Sequence, residues 1–188
     1  MQFKTLAFLS ILSILFFTGC STEDKKTAQE SQNSHESSIQ SSKKEIKLST
    51  IDNKNITIIK ENEKIIIKEY PNKIVLLNFF ATWCPPCKAE IPNLIDLQNK
   101  YSKDFVVIAV LLEQGKTNEE IASFASDFKI NYPVTNSKGN FDLSNSIGPI
   151  KSIPTMFMID KDSNIFQKYV GIVPVEMMEM DINKVLKK

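Results

Sequence analysis

The chain has 188 residues, 23 basic and 22 acidic side chains, a net charge of +1 and 42% hydrophobic residues. That length predicts one folded domain with appendages, and the near-neutral balance gives no field to steer the protein toward nucleic acid or a strongly acidic substrate. Three cysteines are present but only one histidine, His35, which lies in a polar tract, so Cys–His or Ser–His catalysis has no partner near the apolar segments.

Residues 1–20 read as an export signal. Lys4 supplies a short positive start, and Leu6 to Phe17 form an apolar core too short for a comfortable bilayer span. The run ends in Phe17-Thr18-Gly19-Cys20, which resembles a lipobox, with Phe17 in place of the usual leucine. The resemblance implies cleavage before Cys20, a diacylglycerol thioether on its sulfur, and firm membrane anchoring by several acyl chains. Residues 21–44 are dominated by Ser, Gln, Lys, Glu and Thr, with Ala28 and Ile39 the clearly apolar exceptions. Such a stretch cannot bury enough surface to offset its ordering entropy and is expected to be a disordered tether, with His35 a solvated member of it. The folded domain is expected over residues 45–188. It opens on short alternating strands (Ile46 and Leu48; Ile56 and Ile58; Ile65 and Ile67), punctuated at Asn53-Lys54-Asn55 and Glu61-Asn62-Glu63.

Ile74 to Phe80 is an apolar run without alternation, as expected of a strand buried on both faces. After a short turn a helix begins. Cys84 stands at its N-cap position, Pro85 suits its first turn, and Cys87 follows on the same face. Unpaired amides and the helix dipole would stabilise a thiolate at Cys84, lowering its pKa below the value of about 8.5 for free cysteine. Cys84 is then the attacking sulfur of thiol–disulfide exchange, and Cys87 resolves the mixed disulfide. Trp83 can shield one side of the sulfur, while Pro85 and Pro86 stiffen the turn and remove two N–H donors. Two other uses of a Cys-x-x-Cys pair stay open: half of a zinc site, for which only Cys20 and His35 remain as ligands, and an inert disulfide, although so small a ring removes little chain entropy.

The helix is predicted over about Pro85 to Lys100, with a kink at Pro92. A second buried strand covers Phe105 to Leu112, and an amphipathic helix covers Glu119 to Phe128 through Ile121, Phe124, Ala125 and Phe128. Tyr132 to Thr135 suggests a short strand and Asp142 to Ile147 a short helix. Pro154 precedes a strand over Met156 to Asp160; a turn at Lys161 to Asn164 leads to a last strand, Ile165 to Val170, and a closing helix, Val175 to Leu186. The methionines of that helix suit core filling better than metal binding.

Trp83-Cys84-Pro85-Pro86-Cys87 after a buried strand resembles the thioredoxin superfamily. The Pro-Pro pair and the following Lys88-Ala89-Glu90 resemble its membrane-tethered TlpA/ResA/DsbE-type reductases, over roughly residues 45–188. The resemblance implies an α/β thioredoxin-like fold: a central mixed sheet flanked by helices, with an N-terminal β-extension and a central insertion. It implies a cis peptide at Pro154 opposite the cysteine pair, where the residues alone suggest a simple turn, and an Ile153 backbone free to pair with a bound substrate strand. Some thioredoxins carry a buried carboxylate six residues before the first cysteine, but this chain has Asn78 there. Glu90, which matches a glutamate of ResA-like proteins, is then the candidate to take the proton of Cys87; the alternative is a surface glutamate at a helix start.

No cofactor is expected beyond the redox-active Cys84–Cys87 disulfide, and no metal. The implied activity is an extracytoplasmic (periplasmic), lipid-anchored protein-disulfide reductase. Its implied partners are oxidised proteins such as apocytochrome c or copper-site proteins, and a membrane thiol donor of DsbD/CcdA type. A disulfide oxidase or isomerase, or a non-catalytic haem or copper chaperone, is the competing expectation.

Overall fold

The structure, a computed structural model, describes residues 43–187. Cys20 and His35, with the expected signal and most of the expected tether, lie outside the described residues.

Three strands come first, β1 (Lys43–Ser49), β2 (Asn55–Glu61) and β3 (Lys64–Ile67), joined as an antiparallel meander in the order β1-β2-β3. β1 begins at Lys43, inside the expected tether, because Lys43 and Lys44 pair with Glu61 and Lys60. Then follow β4 (Ile74–Phe80), α1 (Pro85–Tyr101), β5 (Phe105–Leu111), α2 (Asn118–Asp127), β6 (Val134–Thr135), α3 (Lys138–Ile147), β7 (Thr155–Ile159), β8 (Ile165–Val170) and α4 (Val175–Leu186). The five later strands form a mixed sheet in the order β6-β5-β4-β7-β8. β4 runs parallel to β5 and antiparallel to β7, so it is the central strand.

Every residue of β4 and β5 is buried, because each strand feeds two cores. Ile74, Leu76 and Phe80 of β4 join Phe105, Val107, Ala109 and Leu111 of β5 in the cluster that contains both cysteines, Leu94 and Leu97 of α1, and Met178 and Ile182 of α4. The alternate residues Val75, Leu77 and Phe79, with Val106, Ile108 and Val110, pack on Ile46, Leu48, Ile56, Ile58, Ile65 and Ile67 of the meander and Leu143 of α3. Helices therefore cover one face of the central sheet, and the N-terminal β-extension with α3 covers the other. The extension is tied at both edges of that sheet. The Ile65 N–H donates to the Ser163 carbonyl at 2.8 Å beside β8, and the Ile51 N–H donates to the Val134 carbonyl at 3.0 Å in β6.

The helices α1, α2 and α3 are set by different contacts. Thr117 caps α2 by accepting from the Glu120 N–H at 3.2 Å while the Glu120 side chain accepts from the Thr117 N–H at 2.8 Å, a reciprocal capping box. α1 continues through Pro92, burying Ile91, Leu94 and Leu97 on one side. α3 begins at Lys138, four residues ahead of its expected start, because Asn140 is buried and donates through Nδ2 to the carbonyls of Leu111 and Thr135, both at 2.9 Å.

Candidate active site

β4 ends at Phe80, and after three intervening residues Cys84 caps the start of α1. Cys84 is the N-cap, with extended backbone, and its Sγ accepts the Cys87 N–H at 3.2 Å. The two intervening positions are Pro85 and Pro86, which have no N–H to offer. Of the amides that a helix start normally leaves free, the first real donor is thus the one aimed at the Cys84 sulfur. Cys84 and Cys87 are joined in a disulfide, and both are 2% exposed.

The other expected residues gather around this pair. Ile153–Pro154 is a cis peptide, and the Ile153 carbonyl lies 3.7 Å from the Cys84 Sγ. Pro154 is buried and Ile153 half-buried; the Pro154 carbonyl accepts from the Gly171 N–H at 2.8 Å, which fixes the loop to the end of β8. Trp83 is 64% exposed and stands outside the core beside the disulfide. Pro85 is exposed and Pro86 half-buried.

Glu90 lies one helical turn beyond Cys87 and has no exposed surface. It is not a surface residue at the helix start. Its Oε2 accepts from the Val173 N–H at 3.3 Å, while its Oε1 has no partner among the described residues. Burial pushes its pKa above the usual carboxylate value, only partly offset by hydrogen bonds from Val173 and Asn93. Asn78 is buried on β4 with its Oδ1 likewise unpartnered. By strand alternation it faces the same side of the sheet as Leu76 and Phe80, the side on which α1 packs.

Sequence reasoning missed two residues at this site. Thr82 donates from its backbone N–H, at 2.9 Å, and from its hydroxyl, at 2.7 Å, to one carboxylate oxygen of Glu113. Nothing in the spacing announces that contact, since the partners are 31 residues apart and are brought together by the β4–β5 pairing. Among the described residues, no group of three or more His, Cys, Asp and Glu side chains is placed to hold a metal ion. Nor, among those residues, is any helix long and apolar enough to cross a membrane.

The chemistry open to two adjacent sulfurs at a helix start is the making and breaking of a sulfur–sulfur bond, which defines a thiol–disulfide oxidoreductase on a thioredoxin-like fold. The chain belongs to the Redoxin family, whose model matches residues 37–186, and it is a ResA-like member of the thioredoxin superfamily. Thiol-disulfide oxidoreductase ResA of Bacillus cereus is 34% identical over 126 residues, covering 66% of this chain and 70% of that relative. Among solved structures, a thiol:disulfide interchange protein of the thioredoxin family from Chlorobium tepidum TLS is 26% identical. It superposes with a TM-score of 0.58 over 76% of this chain and 93% of its own. StoA from Bacillus subtilis shares the fold, with a TM-score of 0.56 at 22% identity over 73% of this chain and 95% of its own.

Proposed function

We propose that this protein reduces disulfides in exported proteins on the outer side of a bacterial membrane, anchored by a lipid on Cys20. The observation that carries this reading is the Cys87 N–H directed at the Cys84 Sγ at 3.2 Å, with prolines filling the two positions between them. A helix start that offers its first amide to one sulfur stabilises negative charge there, and that sulfur becomes the nucleophile. Disulfide couples of this type span roughly −270 mV to −120 mV, and the strongest oxidants owe their potential to a heavily stabilised thiolate. Pro85 and Pro86 add no cationic side chain between the cysteines, which favours the reducing end.

In the reaction, the Cys84 thiolate attacks one sulfur of the client disulfide. The client's S–S bond breaks, its departing sulfur takes a proton, and a mixed disulfide forms on Cys84. Cys87 loses its proton to Glu90 and attacks the Cys84 Sγ, releasing the second client thiol and closing the Cys84–Cys87 bond. Two electrons have then passed from the pair to the client, and a membrane thiol donor of DsbD/CcdA type returns them. Burial of Glu90 supports its role here, because a carboxyl with a raised pKa is a better match for a thiol proton. The Ile153 carbonyl beside Cys84 supports a backbone contact with the client segment. The favoured clients are apocytochrome c with an oxidised haem-attachment pair, or a copper-site protein awaiting metal.

A Cys87→Ser variant tests this. It is expected to accumulate a mixed disulfide between Cys84 and oxidised peptides bearing either kind of cysteine pair, and to hold its natural client in the same way. No adduct with either peptide, or a potential of the wild-type couple above about −180 mV, would overturn the reductase assignment.

A further inference from the structure

We propose that Glu113 is a positioning residue for the thiol chemistry: its carboxylate clamps the turn that carries Cys84, so that the sulfur stays on the Cys87 amide after the disulfide opens. The inference rests on the reading of Cys84 as the attacking sulfur.

Between the last residue of β4 and the N-cap of α1 lie Ala81, Thr82 and Trp83. The turn is closed by the Cys84 N–H donating to the Ala81 carbonyl at 3.2 Å. At the centre of the turn, Thr82 gives both of its donors to the same Glu113 oxygen, at 2.9 Å and 2.7 Å. Trp83, which follows, is 64% exposed and brings little packing of its own. Glu113 is delivered by the sheet. The Leu112 N–H donates to the Phe80 carbonyl at 2.8 Å, carrying the β4–β5 ladder one step past β5, and the next residue faces Thr82. Glu113 and Thr82 are both half-buried, so water competes only partly for these hydrogen bonds.

The need for a clamp arises in the reduced state. In the oxidised protein the covalent ring holds the Cys84 sulfur in place. Once the bond is cleaved, that sulfur keeps the Cys87 N–H only if its own backbone does not move. Its link to the rigid central strand is the short turn that Glu113 holds.

Geometry and charge make opposite predictions for this carboxylate, which allows a clean test. Bare removal of a negative charge near the site would favour the Cys84 thiolate. Loss of a clamp would disfavour it. In the reduced full-length protein, Cys84 thiolate formation is followed by ultraviolet absorbance against pH, and its alkylation rate by mass spectrometry. Glu113→Ala is expected to titrate above wild type, with alkylation at neutral pH slowed about tenfold, the factor that one hydrogen bond to a charged group is worth. Glu113→Gln keeps an oxygen able to accept both Thr82 donors and is expected to stay within about twofold of wild type. Thr82→Val loses the hydroxyl but keeps the N–H, and a fall of about threefold is expected.

An alanine variant that titrates at or below wild type overturns the proposal. So does a glutamine variant as slow as the alanine one, or a valine variant with no fall. A lowered melting temperature of oxidised Glu113→Ala without a change in the thiol titration also overturns it, because the contact would then be structural only. The wild-type titration alone tests whether Cys84 is an activated sulfur; the clamp is tested by the differences between variants and wild type.

Discussion

Glu90 is the residue whose surroundings depart furthest from what its chemistry prefers. A carboxyl with no exposed surface and one oxygen unpartnered among the described residues favours its neutral form, and desolvation raises its pKa above the ordinary value of 4.5. The folded state therefore holds this proton more tightly than the unfolded chain. The contribution of Glu90 to stability is fully present below pH 4.5 and is lost as pH rises through the folded-state value. The difference in unfolding free energy between Glu90→Gln and wild type should accordingly shift in favour of the variant as pH climbs above 4.5, then level off. Denaturant titrations of the two oxidised proteins across that range measure it. A difference independent of pH would show that Glu90 ionises as it does in the unfolded chain. The same variant should also flatten or displace the pH–rate curve for resolution by Cys87 while leaving the fold intact. An unchanged curve would remove Glu90 from the proton path.

At the scale of elements, the join between the N-terminal meander and the central domain is close where α3 meets β1. A Cβ added at Gly139 would sit 2.0 Å from the Lys47 carbonyl oxygen, a main-chain atom that cannot rotate away. Gly139→Ala should lower stability by about 1–3 kcal/mol, the usual range for overpacking, and more if β1 is forced off the sheet. An unchanged denaturation midpoint would mean that α3 and β1 move apart freely. Buried Asn140 works in the same place, since its Nδ2 joins the carbonyls ending β5 and β6. Asn140→Leu leaves both acceptors bare and should cost about 1–3 kcal/mol for each carbonyl that water cannot reach. Chemical denaturation would measure it; a loss under half a kilocalorie per mole would show that water replaces the amide.

For the molecule as a whole, most of the architecture was readable from periodicity. β8 and α4 fall on Ile165–Val170 and Val175–Leu186, the bounds expected of the last strand and the closing helix. β5 announces itself as an unbroken apolar run, and β4 as one interrupted only by Asn78, because both of their faces are buried. The active-site turn was readable because Cys84, Pro85, Pro86 and Cys87 make a local signal within one helical turn. What escaped was tertiary. α3 starts at Lys138 because its Gly139 fits against the Lys47 carbonyl and its Asn140 bonds two distant strands. No pattern within the helix itself carries that information, and Gly-Asn by itself suggests a turn. The start of α2, by contrast, was present in Thr117-Asn118-Glu119-Glu120 as a capping-box signature and was missed by one residue. The burial of Glu90 follows from the approach of Val173, which a sequence does not disclose.

The same whole-molecule view bears on redox balance. A domain whose cysteine pair has only prolines between its sulfurs should have a potential nearer −270 mV than −120 mV. Equilibration of the wild-type couple with glutathione and with thioredoxin would place it on that scale.

The most direct measurement is the pH dependence of alkylation of the reduced wild-type protein, with the labelled cysteine identified by mass spectrometry. Cys84 is expected to react first, with a midpoint well below the value of about 8.5 for a free thiol, while Cys87 stays protected. Equal labelling of both sulfurs, or a Cys84 midpoint at the free-thiol value, would contradict activation of that sulfur by the helix start.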